Sequence, residues 1–160
     1  MRCIVLSSRA QDWPMLRGSL EASGLFTCLR RFDPVGEAER LESLLRLQIP
    51  HVVVLDDTSF PHLAQVREAA GRVNPSIQLA AAGGNLSGDE LLALMRSGVR
   101  EYLPEPFGME ELSGPLTRLQ QRAEASAASF PISEDLFVFL PAQAGVGATT
   151  LAVQASLALA

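Results

Sequence analysis

The chain has 160 residues, 48% of them hydrophobic, with a net charge of −5 and a pI near 5.0. Such a composition supports a packed core of about one domain and excludes a disordered chain. The acidic balance excludes a general nucleic-acid binder, which needs a basic stripe to displace counterions.

The chain alternates short apolar strands with amphipathic helices. Cys3 to Leu6 is a buried strand. Gln11 to Ser23 is a helix, with Pro14 in its first turn and Gly24 as its stop. Phe26 to Arg30 is a second strand. Asp33-Pro34 starts the next helix, a capping carboxylate followed by proline. That helix buries Ala38, Leu41, Leu44 and Leu45 and ends before Pro50. Val52 to Leu55 is the β-branched and aliphatic run of a central parallel strand.

A helix from about Pro61 carries Leu63, Val66, Ala70 and Val73 on one stripe. Ile77 to Ala81 is the fourth strand. Ser87-Gly88-Asp89-Glu90 is a capping box that opens a helix through Leu91, Leu94 and Met95, stopped at Gly98. Val99 to Leu103 is the fifth strand, and Met109 to about Ala123 the fifth helix. Five such units predict an α/β fold, a flavodoxin-like (βα)5 doubly wound parallel sheet of strand order 2-1-3-4-5. Ligands of such sheets sit at the carboxyl ends of the strands. Here those ends are Ser7 to Arg9, Asp56 to Thr58, Ala81 to Gly84 and Pro104 to Phe107.

From Glu124 the composition changes to small and polar residues. Residues 1–123 are expected to form the first domain and 124–134 a linker. Residues 135–160 are expected to open a second domain: a strand over Leu136 to Leu140, a glycine loop and a helix from Thr149. One strand and one helix cannot build a core, so the chain is expected to be the amino-terminal piece of a longer protein. Its apolar residues Phe137, Phe139, Leu140, Leu151, Val153 and Leu157 are expected to pack against the sheet or swap into a partner chain.

Three local matches make residues 1–123 similar to the response-regulator receiver (CheY-like) domain. Pro50-His51-Val52-Val53-Val54-Leu55-Asp56 resembles its third strand, with Asp56 at the phosphoacceptor position. Gly98-Val99-Arg100-Glu101-Tyr102-Leu103 resembles the approach to its fifth strand. Glu105-Pro106-Phe107 resembles its lysine-proline-phenylalanine turn, whose proline is commonly cis. The resemblance implies a carboxylate nucleophile, acidic groups for magnesium, a hydroxyl and a lysine. Here Ser7-Ser8 replaces the acidic pair, Ala81 falls at the hydroxyl and Glu105 at the lysine. The whole chain contains no lysine. It is therefore expected to be a pseudo-receiver, with Asp56 a loop carboxylate or helix cap. The alternative is a receiver phosphorylated at Asp56 in a phosphorelay.

The segment Gln143-Ala144-Gly145-Val146-Gly147-Ala148-Thr149-Thr150 resembles the phosphate loop of MinD/ParA-like ATPases. Gly145, Gly147, Thr149 and Thr150 match as nucleotide-binding positions, while Gln143 and Ala148 replace the family's two lysines. Glycines permit close backbone approach, and helix-start amides attract phosphate. A receiver-like domain followed by such a segment is similar to the TadZ/CpaE family, which places the tight-adherence (Flp) pilus machinery in bacteria. That resemblance implies a non-catalytic interaction and localisation module, not an enzyme, with no cofactor in this chain and ATP with magnesium in the full-length protein. It implies protein partners, self-association as a homodimer and a cytoplasmic location, in keeping with the absence of any apolar run near the roughly 20 residues of a membrane span. The expected interaction face is Ser87 to Arg122, with Arg96, Arg100 and Arg118 as its charges.

Cys3 and Cys28 are expected to be reduced core residues. His51 and His62 have no neighbours at metal spacing, so no metal site is expected from them.

Overall fold

The computed structural model describes residues 1–9, 11, 13–34, 40–128 and 148–159. The chain divides into two compact units, Met1–Phe130 and Pro131–Ala160.

The first unit carries five parallel strands: β1 (Arg2–Leu6), β2 (Thr27–Phe32), β3 (Val52–Asp56), β4 (Gln78–Gly83) and β5 (Glu101–Pro104). Their order in the sheet is β2-β1-β3-β4-β5, the flavodoxin-like order expected from the sequence. Between them run α1 (Trp13–Ala22), α2 (Leu41–Gln48), α3 (Leu63–Val73), α4 (Gly88–Arg96) and α5 (Met109–Ala128). A helix of 3-10 type, Asp57–His62, joins β3 to α3.

Strand alternation divides the apolar residues between two faces. Ile4, Leu6, Val53, Leu55 and Leu79 pack with Leu44, Leu45 and Val66 of α2 and α3. Cys3, Val5, Val52, Val54 and Leu103 pack with Leu16 and Leu20 of α1 and with Leu112, Leu116 and Leu119 of α5. β3 is buried along its entire length, because helices cover both faces of the central strand.

Several boundaries differ from expectation. α2 begins at Leu41 behind Arg40, which makes no side-chain cap; residues 35–39, which follow Asp33-Pro34 and include Ala38, lie outside the described residues. Asp33 accepts a hydrogen bond from Ser8 Oγ at 2.8 Å. α2 ends as Ile49 turns left-handed at φ 44°, one residue before Pro50. In α4 the capping box forms as predicted, with the Ser87 hydroxyl facing the Glu90 amide and the Glu90 carboxylate facing the Ser87 amide. Only Leu94 of α4 is buried, whereas Leu91 and Met95 are half-buried. α5 continues to Ala128 through the small residues after Glu124, because alanine favours helix and nothing in that stretch breaks it.

In the second unit the described residues form α6 (Ala148–Leu159), with Thr149 and Thr150 exposed in its first turn. Leu151 and Val153 are also exposed. The expected strand Leu136 to Leu140 and the loop glycines Gly145 and Gly147 lie outside the described residues.

Candidate functional site at the carboxyl ends of the strands

Asp56 ends β3 at the centre of the sheet and is 8% exposed. Its Oδ1 accepts from the Ser59 amide at 3.1 Å, the Ser59 hydroxyl at 2.9 Å and the Thr58 hydroxyl at 2.6 Å. The carboxylate thus caps the 3-10 turn that follows it, as serine or aspartate caps a helix. Ser59, fully buried, shares its one hydroxyl hydrogen between Asp56 Oδ1 and the Leu6 carbonyl, 2.8 Å away, and so ties the end of β1 to this turn. Asp56 Oδ2 is buried and has no hydrogen-bond partner among the described residues.

Asp57, the neighbouring carboxylate, points elsewhere. It accepts a close ion pair from the guanidinium of Arg9. Arg9 lies just beyond β1 and lines the same small cavity as Asp56. Arg9 falls within the strand end Ser7 to Arg9, but no local pattern in the sequence marks it as the cation of this site. A cation therefore stands at this site, but it comes from β1 and serves Asp57.

Ser7 and Ser8 hold the loop instead of a metal. The Ser7 hydroxyl and the Arg9 backbone bond to each other at 3.0 Å, and the Ser7 carbonyl accepts from Arg31 at 2.6 Å. The Ser8 amide donates to Thr58 Oγ1 at 3.0 Å. Magnesium requires several hard oxygen ligands, usually carboxylates and waters in an octahedron. Two engaged hydroxyls, one carboxylate saturated on Oδ1 and another covered by a guanidinium do not fit it. Among the described residues no group of three His, Cys, Asp or Glu is placed to hold a metal.

β4 supplies no hydroxyl. The register sets Ala82 level with Asp56 and Ala81 level with Leu55, so the residue beside the carboxylate is Ala82, one later than expected. Both are alanine, and the chemical consequence is the same. Beyond β5 the Glu105–Pro106 peptide is cis, as the resemblance implies. Glu105 lines the Asp56 cavity where the resemblance places a lysine. That cavity, closed by Val5, Trp13 and Phe107, holds about 20 Å³. This is room for about one water and not for a phosphoryl group.

Tyr102 on β5 donates to the Gly84 carbonyl and closes the β4–α4 turn. Burial, and then the charges of Glu105 and Asp57, push its hydroxyl above the usual tyrosine range. Glu101, buried at the start of β5, takes a two-pronged hydrogen bond from Arg118 at 2.9 and 3.0 Å, and this pairing raises the arginine further. Arg118 is thus paired within the chain, while its side chain stays 53% exposed on α5. Arg96 and Arg100 are exposed.

No protein-family model and no curated protein matches this sequence. Solved structures do. A pilus assembly-related protein from Burkholderia pseudomallei aligns with a TM-score of 0.64 at 21% identity, over 76% of this chain and 90% of that one. A pilus assembly protein (cpaE) from Burkholderia thailandensis aligns at 0.62 and 23% identity, over 76% and 98%. A CheY-like protein (tadZ) from Pseudomonas aeruginosa aligns at 0.60 and 20% identity, over 75% and 93%. At these identities the likeness is one of fold, and the fold is that of a CheY-like receiver.

Proposed function

We propose that this chain is a receiver-like interaction and localisation module of a Flp (tight-adherence) pilus assembly protein, and that it works without phosphorylation. One observation carries this reading: Asp56 is held as a cap by three hydrogen bonds, in a cavity lined by Glu105. Phosphoryl transfer to a carboxylate needs stabilisation of the added negative charge. A like-charged neighbour at the cavity wall opposes that charge instead of stabilising it. The solved structures of pilus assembly proteins with this fold support the cellular setting.

The proposed interaction face is α4, β5 and α5. α4 buries only Leu94 and presents Leu92, 52% exposed, one turn from exposed Arg96. Arginine is among the residues enriched in binding hot spots, and an exposed leucine beside it offers apolar area to bury. In the full-length protein, the loop that includes Gly145, Gly147, Thr149 and Thr150 is proposed to bind ATP with magnesium.

The test is incubation with acetyl phosphate, or with beryllofluoride, and magnesium, followed by mass and sedimentation. No adduct is expected, and self-association should persist unchanged. Leu92→Ala and Arg96→Glu should each weaken self-association. Unchanged sedimentation of both variants would remove this face from the proposal.

A second reading is phosphorylation at Asp56, favoured by the buried and unpartnered Oδ2. A stoichiometric adduct lost in Asp56→Asn would establish it.

A further inference from the structure

At the opposite end of the sheet from Asp56, three arginines from different elements converge on one cavity of about 550 Å³. Arg67 comes from α3, Arg100 precedes β5, and Arg122 comes from the last part of α5. The stem of Arg67 crosses the turn at Gly98; a Cβ on that residue would lie 3.0 Å from Arg67 Cδ. Arg122 Nη1 donates to the Arg100 carbonyl at 2.9 Å, and the Arg100 amide is fixed to the Leu79 carbonyl at 2.8 Å. The buried amide of Gln78 spans the floor, donating to the Ser76 carbonyl at 2.9 Å and Ser126 Oγ at 3.0 Å.

None of these three guanidinium groups has an acidic partner among the described residues. Nearby acids are committed elsewhere. Glu68 pairs with Arg72, Glu101 with Arg118, and Glu124 accepts from Gln120. In a chain of net charge −5, an uncompensated group of three cations around one cavity is not explained by internal pairing. Guanidinium forks match phosphate oxygens two at a time. The volume lies within the range of small-molecule sites and exceeds what a single phosphate fills.

We infer that this cavity binds a small molecule carrying two or more ionised phosphate groups, with Arg67, Arg100 and Arg122 as its ligands. This inference is independent of the state of Asp56, and it uses Arg100 and Arg122 at the amino-terminal edge of β5 and the end of α5, away from Leu92 and Arg96 of α4. The probe is inorganic pyrophosphate, titrated into the full chain at low salt and followed by amide NMR. Saturable shifts are expected at Gly98, Arg100 and Arg122, with Kd below about 1 mM. Arg67→Ala combined with Arg122→Ala should weaken binding at least about tenfold, since each removes a charge-assisted contact. Both side chains are exposed, so the fold should survive. Arg67→Lys, which keeps charge but loses the fork, should fall between. Thr149→Ala should leave these shifts in place. Shifts confined to residues 145–150 and lost in Thr149→Ala would overturn the inference, as would shifts that never saturate.

Discussion

Replacing Asp56 by alanine should destabilise the folded domain, and the sign of the effect is the informative part. In a site where several carboxylates crowd together, removing one relieves like-charge repulsion and stabilises the fold. Here the neighbouring Asp57 is already neutralised by Arg9. Asp56 Oδ1 instead accepts three hydrogen bonds, from Thr58 Oγ1, Ser59 N and Ser59 Oγ. Losing a cap costs about 1 kcal/mol. Leaving the buried Ser59 hydroxyl and the half-buried Thr58 hydroxyl short of a charged acceptor adds roughly 1 to 3 kcal/mol. The gain from no longer burying a carboxylate, one oxygen of which is unpartnered, offsets part of this. The net expectation is a loss of about 2 kcal/mol. With a urea m value of about 2 kcal/mol/M, the unfolding midpoint should fall by roughly 1 M at unchanged m. Asp56→Asn keeps the shape and one acceptor oxygen, and should lose less than about half as much. An Asp56→Ala variant more stable than the parent would refute the capping role and restore the carboxylate as a strained functional group.

Ser59→Ala should cost about 1 to 2 kcal/mol in the same assay, because it removes the hydroxyl that serves both Asp56 Oδ1 and the Leu6 carbonyl; a neutral result would mean that these acceptors are satisfied by other donors. Gly98→Ala should cost about 1 to 2 kcal/mol, since φ +105° strains any side chain, and should displace Arg67, visible as a shift of its side-chain NMR signal. His51 accepts from the Arg2 amide through Nδ1, and burial, then the charges of Arg2 and the amino terminus, hold its pKa below the ordinary 6.5. Its contribution to stability is therefore full above 6.5 and is lost as pH falls through the lower folded value. Unfolding curves from about pH 7 to about pH 5 should show this decline, and His51→Ala should flatten it. The hydrogen bond to Cys28 and burial hold the Cys3 thiol well above its usual pKa, so a thiol reagent should label Cys3 only on unfolding. Fast labelling in the folded state would contradict its burial.

Periodicity, together with the local matches at residues 50–56, 98–103 and 105–107, made the fold legible. The apolar runs at Val52–Leu55 and Leu79–Ala82 are long enough only for strands buried on both faces, and their alternation with amphipathic helices leaves few parallel orders. The missing lysine and acidic pair were equally legible, being absences of residue type. Tertiary structure decided the rest, because it depends on which side chains meet across strands distant in sequence. It placed Arg9 on Asp57 and set Ala82, not Ala81, beside Asp56. It consumed Arg118 in a pair with Glu101, whose burial at the start of β5 no local pattern reveals. It also gathered Arg67, Arg100 and Arg122 around one cavity, although 55 residues separate the first from the last along the chain. Hydrophobic patterning is local and periodic, so sequence carries it directly. The pairing of charges is set by crossovers and register, which exist only once the sheet has formed.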